Sequence, residues 1–322
     1  MAATLTVFAG TANPDLASNI VEELGIHLGS CMVLPFPDGE LQVELNQSVR
    51  GHDVYLVQST SPPAEKHLLE LVLLADACHR AGAARVTAIV PYFGYARQDR
   101  RTGRRQALGA RVVANMIQSS PIHRLIVVDL HTSTIEGFFS VAVEHLSAVP
   151  VLADAVRPLV EDRSIVVAPD LGAVKLAEQY ARLLELPMAI VHKTRVSGQE
   201  VSIRQIVADV RDRSPLIVDD MLSTGGTVEA SMNALLAAGC KPYAIGVISH
   251  GLFVGQAEEI LLPLPMQRIF TTDSVTQHPG RLPVEVHSLA PLLAEAIRRL
   301  HRDESLGDLY SVVRNRLITS PE

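Results

Sequence analysis

Apolar and polar positions along this 322-residue chain keep two rhythms that take turns. Short apolar or alternating runs at 4–8, 53–58, 85–90, 125–130, 164–168, 188–191, 216–218, 243–249 and 266–271 have the length and β-branched content of strands. Between them lie stretches whose apolar residues recur every three or four positions, at 65–80, 175–184, 228–238 and 290–301, together with a helix from the 97–111 stretch to about 117 and another at 151–159. Stop and start signals sharpen several of these. Asn13-Pro14 is an N-cap followed by proline at the first helical position, opening a helix to Leu24, and Gly82 and Gly239 close two others. Pro37-Asp38-Gly39 is a turn signal, read as the tip of a hairpin. Strand and helix alternating throughout predicts an α/β chain of two doubly wound domains. A break in character at 145–151, where Ser147, Ala148 and Pro150 intervene, sets the boundary. The expected parts are 1–146, 147–302 and a polar tail at 303–322.

Composition narrows the class. Apolar residues make up 48% of the chain, yet no uninterrupted run approaches the roughly 20 needed to span a bilayer, so no membrane partner is expected. The first ten residues lack a basic region and read as a strand, which points to the cytoplasm. Cys31, Cys78 and Cys240 are scattered with no metal spacing and read as reduced packing thiols. A net charge of -7 argues against general nucleic-acid binding, so a local cluster of arginines asks for a specific anionic ligand.

Chemistry concentrates where strands end. After the apolar run 216–218 come Asp219-Asp220-Met221-Leu222-Ser223-Thr224-Gly225-Gly226-Thr227 and then a helix. Such a loop lets successive amides, three hydroxyls and a helix N-terminus converge on one anion. It is not a Walker loop, since no lysine follows the glycines. Two carboxylates would repel a phosphate, so they face hydroxyls or a metal, and a sugar phosphate offers both. The plainer alternative is a tight turn whose glycines supply positive φ and whose aspartates are merely solvated. Six arginines lie between 97 and 111. Arg104, Arg105 and Arg111 read as a solvated helix face, whereas Arg97 and Gln98 sit just beyond a strand's carboxyl end, where open sheets bind ligands. Asp129 and His131 reach the same kind of edge, as ligands for a hard cation or a phosphate. Asp170 follows the 164–168 strand. Lys193 and Arg195 stand at the base of 196–210, expected to be a mobile loop or a hairpin able to close over phosphates.

Taken in order, Phe36-Pro-Asp-Gly-Glu40, Pro91-Tyr-Phe-Gly-Tyr-Ala-Arg-Gln-Asp-Arg100, Val128-Asp-Leu-His131, Pro169-Asp170, Lys193 to Arg195 and Asp219 to Thr227 resemble the motif series of ribose-phosphate pyrophosphokinases. The resemblance runs over nearly the whole chain. It implies two domains of type I phosphoribosyltransferase-like fold, the first for ATP and metal and the second for ribose 5-phosphate, assembled as a homo-oligomer, often a hexamer. It further implies that Phe36, Asp38, Gly39 and Glu40 hold adenine from a neighbouring subunit and that Arg97 and Gln98 touch ATP. His131, Asp170 and Asp129 would serve Mg²⁺. Lys193 and Arg195 would be the catalytic pair, and Arg195, Asp219, Asp220, Ser223, Thr224, Gly225, Gly226 and Thr227 would hold ribose 5-phosphate. Three departures stand out. Ala173 replaces a glycine common in the family, 101–109 differs from the usual segment of phosphate-activated members, and 194–199 resembles archaeal members. Two other readings share much of this: a phosphoribosyltransferase, and a non-catalytic subunit associated with a synthetase.

Overall fold

The computed structural model describes residues 3–195 and 201–309, with backbone alone at 193–195 and 201–205. Among these residues the contacts define two units: 3–147 with 274–276 and 288–309, and 148–195 with 201–273 and 277–287.

In the first unit, strands β1 (Leu5–Ala9), β4 (Asp53–Val57), β5 (Arg85–Val90), β6 (Arg124–Val128) and β7 (Ala142–Leu146) form one parallel sheet in that order. The antiparallel hairpin β2 (Cys31–Pro35) and β3 (Leu41–Leu45) stands apart from it. Helices α2 (Ala64–Arg80) and α3 (Gly109–Gln118) bury Leu71, Leu74, Val113 and Ile117 against Val54, Leu56, Ala88 and Leu125 on one face. The other face is met by α1 (Pro14–Leu24) and, from far along the chain, α8 (Ala290–His301), which packs on α1. His301 Nδ1 lies 2.9 Å from Asp53 Oδ2, a carboxylate whose neighbours of the same parity, Tyr55 and Val57, are buried on that face. The helix at 290–301 therefore belongs with the first unit, not with the second half of the chain to which the sequence assigned it. The reason is geometric: strands about 4.8 Å apart make a five-stranded face far wider than one helix about 10 Å across, so α1 alone cannot cover it.

The second unit contains β8 (Ser164–Ala168), β9 (Met188–Arg195), β10 (Val201–Val207), β11 (Ser214–Leu222), β12 (Ala244–Gly251), β13 (Met266–Thr272) and β14 (Val284–His287). They are ordered β10-β9-β8-β11-β12-β13-β14, parallel except for the β9–β10 hairpin. Helices α4 (Val149–Val156) and α5 (Val174–Leu184) take one face; α6 (Gly226–Ala237) packs into the core of the other with Leu261 of the short α7 (Ala257–Leu261). The chain runs outward one way through β8 and β9 and the other way from β11, so a crevice opens between the carboxyl ends of β8 and β11.

Candidate active site

That crevice in the second unit is where the acidic pair and the phosphate loop stand. Asp219 and Asp220 are the sixth and seventh residues of β11, both half-buried. The Asp220 N–H donates to Asp219 Oδ1 at 3.0 Å. Burial first, then the charge and hydrogen bond of Asp220 and the charge of Asp170, push the Asp219 carboxyl well above its ordinary range. Asp170, at the end of β8, is therefore electrostatically close to the pair. Its Oδ1 accepts the N–H groups of Gly172 at 2.8 Å and Ala173 at 3.3 Å, which shapes the turn into α5. Ala173 lies in the right-handed region at φ -82, so this turn takes alanine without strain.

The loop itself is held from behind. Ser223 O accepts from Val254 N–H at 3.0 Å, and Gly225 O from Glu229 N–H at 2.9 Å. Gly225 has φ +85, and a Cβ there would meet the Leu261 side chain at 2.8 Å, so both backbone and space demand glycine. Gly226 is the opposite case: a Cβ would meet nothing within 4 Å. Among the described residues no acceptor is bonded to the amides of Thr224, Gly225 and Gly226. Together with the N-terminus of α6 they form an open cradle suited to an anion.

Lys193 and Arg195 lie within β9, opposite Ile203 and Val201 of β10. The strand thus continues past Val191, where the sequence ended it, and of the two expected forms for 196–210 the hairpin is the one found. Residues 196–200 lie outside the described residues.

In the first unit a second set gathers at the carboxyl ends of β5 and β6. Arg97 and Gln98 form a 3₁₀ turn, Ala96–Gln98, with both side chains exposed. Gln98 covers Gly109 at the start of α3, where a Cβ would collide with its amide. Next to it, buried Asp99 accepts the Thr132 hydroxyl at 2.9 Å, which ties this turn to the segment after His131. Asp129 is nearly buried at φ +37 and accepts the Ser147 hydroxyl at 2.8 Å. His131 is exposed. The structure thus brings Arg97, Gln98, Asp129 and His131 to one edge of one sheet. Arg111, expected only as solvated, donates to Phe138 O at 2.6 Å and sits 5.9 Å over the Phe138 ring. The 36–40 tip closes on itself: Phe36 N–H donates to Glu40 O at 2.7 Å, Gly39 N–H to Phe36 O at 2.9 Å, and Glu40 N–H to Asp38 Oδ1 at 3.1 Å. Phe36 remains 45% exposed on it.

Sequence reasoning passed over Glu136, His145 and Ser147. The alternation Val141, Val143, His145 was readable as a strand, but the Ser147 to Pro150 break next to it masked the signal. No three His, Cys, Asp or Glu side chains among the described residues converge as a metal site.

Both fold units and the loop define a phosphoribosyltransferase-type α/β protein carrying an additional domain. Residues 5–120 match the N-terminal domain of ribose phosphate pyrophosphokinase, and residues 151–260 match the phosphoribosyl transferase domain. Ribose-phosphate pyrophosphokinase from Aquifex aeolicus is 38% identical over 95% of this chain and 98% of its own length. The protein of the same name from Chromobacterium violaceum is 41% identical, over 96% of this chain and 95% of its own. The crystal structure of phosphoribosylpyrophosphate synthetase from Mycobacterium smegmatis superposes with a TM-score of 0.87 at 35% identity, covering 93% of this chain and 99% of that one. The chain belongs to the ribose-phosphate pyrophosphokinase family.

Proposed function

We propose that the chain transfers the diphosphoryl group of ATP to ribose 5-phosphate, releasing AMP and 5-phosphoribosyl 1-pyrophosphate. The C1 hydroxyl oxygen bonds to the β-phosphorus, the bond from that phosphorus to the bridging oxygen of AMP breaks, and the hydroxyl proton goes to solvent. The observation that carries the reading is the pairing, in one chain, of a phosphoribosyl cradle at Asp219–Thr227 with a separate Arg97-Gln98 and Asp129–His131 edge. A phosphoribosyltransferase needs only the first.

In this reading the amides and hydroxyls of Ser223, Thr224, Gly225, Gly226 and Thr227 hold the 5-phosphate, Asp219 and Asp220 accept the ribose hydroxyls, and Arg195 adds positive charge. Arg97 and Gln98 hold ATP, and Phe36, Asp38, Gly39 and Glu40 hold adenine in a neighbouring copy of a homo-oligomer, a hexamer by family resemblance. Lys193 and Arg195 neutralise charge on the diphosphoryl group as it moves, since such transfer relies on positioning and electrostatics. The carboxylates of Asp129 and Asp170 are hard-oxygen donors that fit Mg²⁺ bound mostly through nucleotide oxygens and water, and His131 would serve it as a nitrogen donor. Bound Mg²⁺ supplies neutralisation of the triphosphate charge. We place the protein in the cytoplasm; its three cysteines are free thiols, and no helix among the described residues is long and apolar enough to cross a membrane. The test is AMP release from ATP and ribose 5-phosphate with Mg²⁺ and no nucleobase. Failure to release AMP overturns the reading.

A further inference from the structure

The turn that carries His131 is bracketed by side chains that bond to one another and to its own backbone. β6 ends at Val128, and its pairing with β7 runs one step further as Asp129 N–H donates to Leu146 O at 3.0 Å. The next amide, Leu130, leaves the strand and would lose its partner. His145 of β7 catches it: Leu130 N–H donates to His145 Nε2 at 2.9 Å. An amide can only donate, so Nε2 must present its lone pair, and the ring proton is confined to Nδ1. That Nδ1–H donates to Glu136 Oε1 at 2.6 Å. Glu136 stands in the 3₁₀ turn Ser133–Phe138 directly after His131, and that turn is pinned at its far end by Arg111 on Phe138 O and by Phe93 against Phe139. Leu130, His145 and Glu136 therefore close a ring around His131, with Ser147 on Asp129 and Asp99 on Thr132 at its two shoulders.

We propose that His145, oriented by Glu136, is a positioning residue for the reaction: it fixes the Leu130 amide and thereby where His131 is presented. The inference rests on the reading that His131 belongs to the ATP and metal side of the active site. It assigns His145 no proton transfer and no contact with substrate. Displacing a group by about 1 Å in such a site costs on the order of 10²-fold in rate, so the effect belongs in kcat and in the KM for ATP, while the KM for ribose 5-phosphate stays put.

Four variants test it. Asn at 145 places its amide near the Nδ1 position and leaves Leu130 without an acceptor, whereas Gln places an oxygen near Nε2. Glu136→Ala removes the orienting acceptor, and Glu136→Gln keeps one. Glu136 is 40% exposed, so its variants are expected to fold even if His145→Asn does not. The expected order is Glu136→Gln near the parent, Glu136→Ala down about tenfold in kcat, His145→Gln above His145→Asn, and His145→Asn down about 10²-fold. Mere loss of folded protein would lower apparent kcat and leave both KM values unchanged, so it would not raise the KM for ATP alone. Parental kcat and ATP KM in Glu136→Ala, or equal activity of folded His145→Gln and His145→Asn, overturns the proposal. His131→Ala serves as the reference. A silent His131→Ala strikes down the reading of His131 itself, whereas an inactive His131→Ala beside a parental Glu136→Ala strikes down only the positioning role.

Discussion

Asp219 is held in a place that costs the fold something. Its folded-state carboxyl titrates above the ordinary value, mainly through burial and the neighbouring Asp220 charge. The sign follows from linkage. Below the unfolded pKa of about 3.9 both states are protonated and nothing is lost; as pH rises past it, the unfolded chain ionises first, so stability falls until the folded pKa is passed. Asp219→Asn should therefore raise the melting temperature at neutral pH, with a gain that fades as pH approaches about 4. The same variant should lose ribose 5-phosphate binding, measurable by calorimetry. A site residue that destabilises its own fold is the common pattern at functional positions. Lys193 makes the complementary case. If its charge acts chiefly on the moving diphosphoryl group, Lys193→Ala lowers kcat by about 10²-fold with a smaller change in KM. Steady-state kinetics showing near-parental kcat would remove Lys193 from the chemistry.

Among the elements, the phosphate loop separates fold from function in two adjacent glycines. Gly225→Ala must place a Cβ at φ +85 and 2.8 Å from Leu261, so it should cost about 1–3 kcal/mol in urea unfolding. Gly226→Ala meets open space and should leave stability unchanged; if the 5-phosphate occupies that space, the methyl should raise the ribose 5-phosphate KM about tenfold or more. The loop was legible in the chain because Asp219 to Thr227 follows an apolar strand and precedes a helix with period near four. The long strands and helices that bury one face or stripe were legible for the same reason, as with α1, whose Asn13 side chain accepts Leu16 N–H at 3.2 Å. What the pattern concealed was short or stitched across distance. β7 is partly exposed along most of its length, and β14 has only four residues. α7 has one turn and little periodicity to show. His145 and Glu136 lie nine positions apart on two elements, and no spacing rule joins them.

At the scale of the molecule, the exposed Phe36 on a stiff, self-bonded turn offers a flat apolar surface that its own unit leaves 45% uncovered. If it serves a neighbouring copy's ATP, inactive Asp38→Ala and inactive Lys193→Ala subunits, unfolded together and reassembled, should regain activity through hybrid sites that hold both intact halves. Verified mixed oligomers that stay inactive would show that each copy builds its own site. Metal behaviour belongs at this scale too. With no three-ligand cluster among the described residues, Mg²⁺ should bind the nucleotide-free protein weakly, and calorimetry finding tight, stoichiometric uptake would contradict that.

The return of α8 to the first unit has a consequence for how the protein is born. The sheet of that unit is complete by Leu146, but the helix that shields its second face is translated only at Ala290–His301. About 140 residues separate the two, which at ribosomal speed is on the order of ten to thirty seconds. Through that interval a nascent chain holds Tyr55, Val57 and the buried Asp53 carboxylate without their last cover. The first unit to emerge is thus the last to be finished, and a message truncated just before α8 should yield a protein that chaperones retain and proteases remove, even though every strand of both sheets has been made.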